Sequence, residues 1–119
     1  MNVLLRHFKF TDFLLFTYAD TLFGTLSNAI EPGSPLPVHR HRTTSETVVC
    51  LRGHLREVFY NDAGEVTDVI DLAPGADCAL VNIPIGQWHT VEVLESGTVI
   101  LEVKEGKYEP IGPEDILNL

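Results

Sequence analysis

The stretch Gly33-Ser34-Pro35-Leu36-Pro37-Val38-His39-Arg40-His41-Arg42-Thr43-Thr44-Ser45-Glu46, with Pro84-Ile85-Gly86-Gln87-Trp88-His89 further along, decides how this chain is read. His39 and His41 stand two apart, so on a strand both imidazoles leave the same face. Glu46 follows His41 by five residues, the wrong parity for one continuous strand. The intervening Thr43, Thr44 and Ser45 are turn-tolerant and can end one strand and begin another with Glu46 facing inward. His89 must then arrive on a separate strand. Three imidazoles and one carboxylate that converge in this way read as the ligands of a single metal ion.

A His-x-His pair alone is a weak signal. Requiring Glu46 five residues on, Gly33 six before His39 and Gly53 seven after Glu46 lowers the chance expectation to roughly 10⁻⁴ at this chain's own Glu and Gly frequencies. Calcium and magnesium prefer all-oxygen ligands, so a nitrogen-rich set points to manganese, iron, cobalt, nickel, copper or zinc. Four protein ligands in an octahedral arrangement leave two positions for water or substrate.

Around these residues run short strand-like segments at 20–30, 37–42, 46–52, 55–60, 66–72, 79–83, 90–94 and 98–104. Turn chemistry separates them at Glu31-Pro32-Gly33, Asn61-Asp62-Ala63-Gly64, Ala73-Pro74-Gly75 and Glu95-Ser96-Gly97. Eight runs at this spacing predict an all-β jelly-roll sandwich, with the first twenty and last ten residues the only places where a helical pattern competes. The acidic run Asp68 to Asp71 reads as a solvated face.

The 119 residues, 45% apolar and without linker, repeat or low-complexity run, suit one domain with a single core. A net charge of −9 opposes nucleic acid and anionic lipid. Phe13-Leu14-Leu15-Phe16 is too short for a membrane span and lacks the organisation of a signal peptide, which predicts a cytoplasmic protein. Cys50 and Cys78 form no paired motif and read as small core residues, although Cys50 shares strand parity with Glu46 and a thiol near the metal is the competing possibility.

The pattern Gly33-x5-His39-x-His41-x4-Glu46-x6-Gly53 resembles the first signature of the cupin superfamily, and Pro84-x-Gly86-x2-His89 is similar to the second. Cys78 and Val93 stand where the second signature opens with glycine and closes with asparagine. Over roughly residues 25–110 the chain also resembles the small single-domain bacterial cupin metalloproteins of the WbuC type, through Pro37-Val38-His39-Arg40-His41, Ser45-Glu46, Leu51-Arg52-Gly53, Asp62-Ala63-Gly64 and Ile100 to Gly106. It departs from them at Gly106-Lys107-Tyr108 and at Ile111-Gly112-Pro113-Glu114. The resemblance implies a double-stranded β-helix (jelly-roll) cupin barrel as one domain over 1–119, its core about residues 20–105. It implies His39, His41, Glu46 and His89 as ligands of one divalent transition metal (Fe, Mn, Zn, Ni, Co or Cu). It also implies a small-molecule substrate, sugar-derived in one reading, and a homodimer in which the apolar Phe8, Phe10, Phe13 and Phe16 supply contact.

Beyond the ligands, Glu102 in the last strand is the candidate general acid or base, against the plainer reading of a surface carboxylate. Tyr60, Gln87 and Trp88 are candidates for lining a pocket or orienting ligands. Arg40 alternates with the two histidines and should point away, while His7 and His54 have no motif partner. The leading function is a small metalloenzyme acting on a polar small molecule by Lewis-acid or oxygen-activating chemistry. Iron would favour dioxygen-consuming cleavage, and zinc, manganese or nickel an isomerisation. The competing functions are a non-catalytic ligand- or metal-binding module and a metal-independent sugar isomerase, against which the retention of Glu46 argues.

Overall fold

From Glu46 to Cys50 every second side chain is buried, Glu46, Val48 and Cys50 on one face, and this period of two is what makes the segment a strand. The computed structural model describes residues 13–17, 23–34, 36–105 and 111–119. Over them the elements are β1 (Phe13–Thr17), β2 (Phe23–Ile30), β3 (Val38–His39), β4 (Glu46–Arg52), β5 (Leu55–Tyr60), β6 (Val66–Leu72), β7 (Leu80–Ile83), β8 (Trp88–Val93), β9 (Thr98–Glu105), a 3₁₀ turn (Pro113–Asp115) and β10 (Ile116–Leu117).

The strands form two five-stranded sheets in the orders β1-β2-β9-β4-β7 and β10-β3-β8-β5-β6, every pairing antiparallel. The sheets enclose Ile30, Val48, Cys50, Leu55, Phe59, Leu72, Ile83, Val93 and Ile100, drawn from both layers. Each such side chain contributes about 1.5–3 kcal/mol on burial. This is the all-β jelly-roll barrel expected from the sequence. Cys50 belongs to this packed core, its thiol 3.5 Å from the Arg52 carbonyl, and its sulfur is not in the group formed by the histidine ligand atoms. β6 is exposed along most of its length, in keeping with its acidic run.

The elements differ from expectation in three places. The run 37–42 is strand only at Val38–His39, because the Arg40 amide leaves the sheet to donate to the Asp115 carbonyl at 3.1 Å. β8 begins at Trp88 rather than Thr90, since His89 finds partners on both sides, Phe59 of β5 and His39 of β3. Segments that left room for helix hold strand β1 near the start and the short turn with β10 at the end. Phe8, Phe10 and His7 lie outside the described residues, and the side chains of Phe13 and Phe16 are likewise not described. Among the described residues no helix is long and apolar enough to cross a membrane.

Candidate metal centre

β3 and β8 pair so that His39 and His89 are direct cross-strand partners. Both rings leave the same face of the sheet, with centroids 4.4 Å apart. His41 lies just beyond the end of β3, in an irregular segment held in place when the Gly86 amide donates to the His41 carbonyl at 2.7 Å. That bond joins the two halves of the motif across 45 residues of sequence. Gly86 has φ +78, a left-handed value that suits glycine in the turn feeding β8. Residues 40–45 are not strand, and β4 restarts at Glu46 with its carboxylate buried, which resolves the parity problem through a turn. The His39, His41 and His89 ligand atoms all lie within 4.8 Å of one another.

Two rings are oriented by the backbone. His39 Nδ1 donates to the Pro37 carbonyl at 3.0 Å and His89 Nδ1 to the Gln87 carbonyl at 2.8 Å. A carbonyl can only accept, so each Nδ1 carries the proton and each Nε2 keeps a lone pair for an ion. Gln87 is itself fixed, its amide donating to the Tyr60 and Trp88 carbonyls at 2.9 Å each. Gln87 therefore orients a ligand through its carbonyl, Tyr60 helps through backbone alone, and Trp88 faces away with its indole on Asp62 at 2.9 Å.

Electrostatics suit a cation. Burial lowers the His39 imidazole from its ordinary range, and burial together with the neighbouring His39 lowers His89 to about 4. Both are neutral at physiological pH. Burial alone would raise the Glu46 carboxyl, but His41 beside it, helped by His89 and Lys104, holds it below the usual carboxylate range. His41 Nε2 and Glu46 Oε2 stand 2.6 Å apart, yet neither these atoms nor His89 Nε2 has an aligned hydrogen-bond partner. Buried polar atoms are rarely left so. The grouped imidazoles of His39, His41 and His89 fit a borderline divalent transition metal, and the Glu46 carboxylate reaches this group through His41 rather than standing among its three mutually close nitrogens.

A cavity of about 230 Å³ opens beside the cluster, lined by His39, His41, Glu102, Lys104, Ile100 and Ile111. Glu102 thus lies on the cavity wall and not on the outer surface. Burial, with Glu46 adding, raises its carboxyl to about 8 against the opposing pull of Lys104. Arg40 points outward as its parity requires, stacking 4.4 Å over the Trp88 ring. His54 is half exposed beside Asp71 at 3.6 Å, away from the cluster.

Two features are not evident from the sequence. Glu57 is fully buried on the inner face of β5, between Leu55 and Phe59. Its parity with those two apolar residues is the signal that could have revealed it. The other is the tail, where Ile116 pairs with His39 and Leu117 with Val38, and Asp115 accepts from Arg40 Nε at 3.1 Å and Arg42 Nε at 2.5 Å. Ile111 of the same segment closes one wall of the cavity. Removing the Asp115 carboxylate should free this strap: in Asp115→Ala the Arg40 amide is expected to exchange with solvent several-fold faster by hydrogen-exchange NMR. An unchanged rate would mean the arginines do not hold the tail.

Fold and histidine cluster together define a cupin-type barrel with a candidate metal site. The family model described as Domain of unknown function (DUF6016) matches residues 13–72, and the chain belongs to that family. No curated protein matches the chain. Among solved structures it is similar to the capsular polysaccharide assembling protein CapF from Staphylococcus aureus, with a TM-score of 0.69 and 21% identity over 99% of this chain and 34% of that one. It is also similar to the E162A mutant of Bacillus subtilis oxalate decarboxylase, with a TM-score of 0.64 and 19% identity over 82% of this chain and 26% of that one. The chain thus spans a quarter to a third of these proteins, and at such identities the likeness concerns the fold.

Proposed function

We propose that this protein is a small metalloenzyme of the cupin type, in which His39, His41, Glu46 and His89 hold one divalent transition metal against a polar small-molecule substrate. The observation that carries the reading is the approach of the His39, His41 and His89 ligand atoms to within 4.8 Å of one another, with His89 Nε2 buried without a hydrogen-bond partner and the Glu46 carboxylate 2.6 Å from His41 Nε2. Proton transfer alone gives no reason for four converging groups, which disfavours a metal-independent isomerase. The Bacillus subtilis oxalate decarboxylase has Mn(II) centres, which makes manganese(II) the first ion to test. The CapF likeness and the WbuC-type resemblance favour a sugar-derived substrate.

When bound, the ion would supply Lewis acidity or oxygen activation. The chain's own residues do the rest. Ile100 and Ile111 restrict water in the cavity, and Glu102 presents a carboxyl that is neutral near physiological pH and can give a proton to a substrate atom. We place the protein in the cytoplasm as a homodimer, with β1, at the edge of its sheet, as the pairing element. Light scattering on the purified chain tests the dimer.

Elemental analysis tests the metal. Protein from its own host is expected to carry about one transition-metal ion per chain and His41→Ala to carry almost none. Equal metal in both proteins would refute the assignment. Glu102→Gln is expected to keep the metal, which separates its role on the cavity wall from that of a ligand.

A further inference from the structure

Glu57 is a buried carboxyl in the described interior that the proposed chemistry does not use. It is 0% exposed, and both carboxyl oxygens lack a hydrogen-bond partner. Its cross-strand partners are apolar, Ile70 on β6 and Val91 on β8. An ionised carboxylate so placed would suffer a desolvation penalty with nothing to offset it. Burial, with the charges of Glu46 on β4 and Glu102 on β9, raises it to about 9. The Cys50 thiol on β4, His89 on β8 and Lys104 on β9 are the other titratable groups buried in this interior. The metal-free chain therefore holds Glu57 as a neutral acid.

A divalent ion on Glu46 and the histidines reverses this setting. The negative Glu46 that opposes ionisation of Glu57 is replaced by a centre of net charge near +1, and in a low-dielectric interior such a change acts beyond the coordinating atoms. We propose that Glu57 is a charge-compensating group for the metal centre, neutral in the metal-free chain and ionised when a divalent cation enters, so that metal uptake expels a proton from a residue that is not a ligand. The O–H bond of the Glu57 carboxyl breaks, its electron pair stays on the carboxylate, and the proton passes to the buffer. The inference rests on the metal-binding reading above.

Calorimetric titration of manganese(II) into the metal-free full chain, in buffers of different ionisation enthalpy at neutral pH, counts the protons released. Wild type is expected to release more protons per bound ion than Glu57→Gln, and its apparent affinity to climb more steeply with pH, by about tenfold per pH unit for each coupled proton. The comparison cancels any release from the ligands, which both proteins share. Equal proton counts with intact binding overturn the inference and leave the metal reading standing. No uptake by wild type overturns both. Should Glu57→Gln fail to fold, infrared difference spectra of Glu102→Gln, which lacks the other neutral buried carboxyl, decide: loss of a neutral-carboxyl carbonyl band on adding manganese(II) supports the inference, and persistence of every such band overturns it.

Discussion

Manganese(II) in hundredfold excess over its dissociation constant is expected to raise the melting temperature of the metal-free wild-type chain by roughly 10 °C, and His89→Ala to abolish the rise. The magnitude follows from linkage: at that excess the ion stabilises the folded chain by about 2.7 kcal/mol if it ignores the unfolded one. His89 is the sharpest position at which to remove it. It is 1% exposed, cross-strand partner to both His39 and Phe59, and presents a buried Nε2 without a protein partner. Truncation also changes the metal-free protein, so each variant is compared with itself, with and without ion, by differential scanning fluorimetry. A full rise in His89→Ala would place the ion elsewhere.

The same site carries a pH signature. The folded value of His89, about 4, lies below the ordinary 6.5, so the folded chain binds fewer protons than the unfolded chain between those limits. Its contribution to stability is whole above 6.5 and is lost as pH falls toward 4, the same window in which a proton displaces the ion. Glu57 runs the other way. Its value is raised from 4.5 to about 9, so its contribution is whole below 4.5 and is lost as pH rises through 9. The metal-free chain is therefore expected to melt at a lower temperature at pH 9 than at 6.5, and bound metal to shrink that difference.

Much of this is legible in the residues. Alternation in Glu46–Arg52 and Leu55–Tyr60 places two central strands at their observed ends, and the motif spacing puts His39, His41, Glu46 and His89 on facing segments. Local pattern does not show how the pieces meet. The direct pairing of His39 with His89, and the Gly86 amide on the His41 carbonyl, are contacts between segments 50 and 45 residues apart, set by sheet register and invisible to periodicity. Glu102 is ambiguous in sequence because a carboxylate in a strand of either parity reads first as solvated. Only the opposite sheet decides that its face is the interior. Glu57 is easily passed over for the same reason, as a charge in a strand, although its alternation with Leu55 and Phe59 puts it inside. The tail is unreadable because its role comes from Asp115 meeting two arginines more than seventy residues upstream.

Gly53→Ala is expected to be the most damaging single-methyl change in the described chain, lowering the melting temperature by roughly 10–20 °C. Gly53 adopts φ +85 in the turn between β4 and β5, a conformation that disfavours any L side chain by about 1–2 kcal/mol. A Cβ there would also overlap the Thr98 hydroxyl and stand 2.8 Å from the Thr98 Cα, a backbone atom that cannot swing aside. Thr98 is fully buried and tied on several sides, accepting from the His54 amide at 3.2 Å and donating to the Glu95 carbonyl at 2.7 Å. Overpacking of this kind typically adds about 1–3 kcal/mol. Gly33 separates the two terms. It has φ +80 with nothing within 4 Å of where an added methyl would sit, so Gly33→Ala should show the conformational penalty alone, a few degrees. Both glycines belong to the same sequence pattern, yet one guards a contact and the other only a turn. Thermal melts of the two variants side by side measure the difference, and equal losses would mean that the Thr98 contact relaxes at no cost.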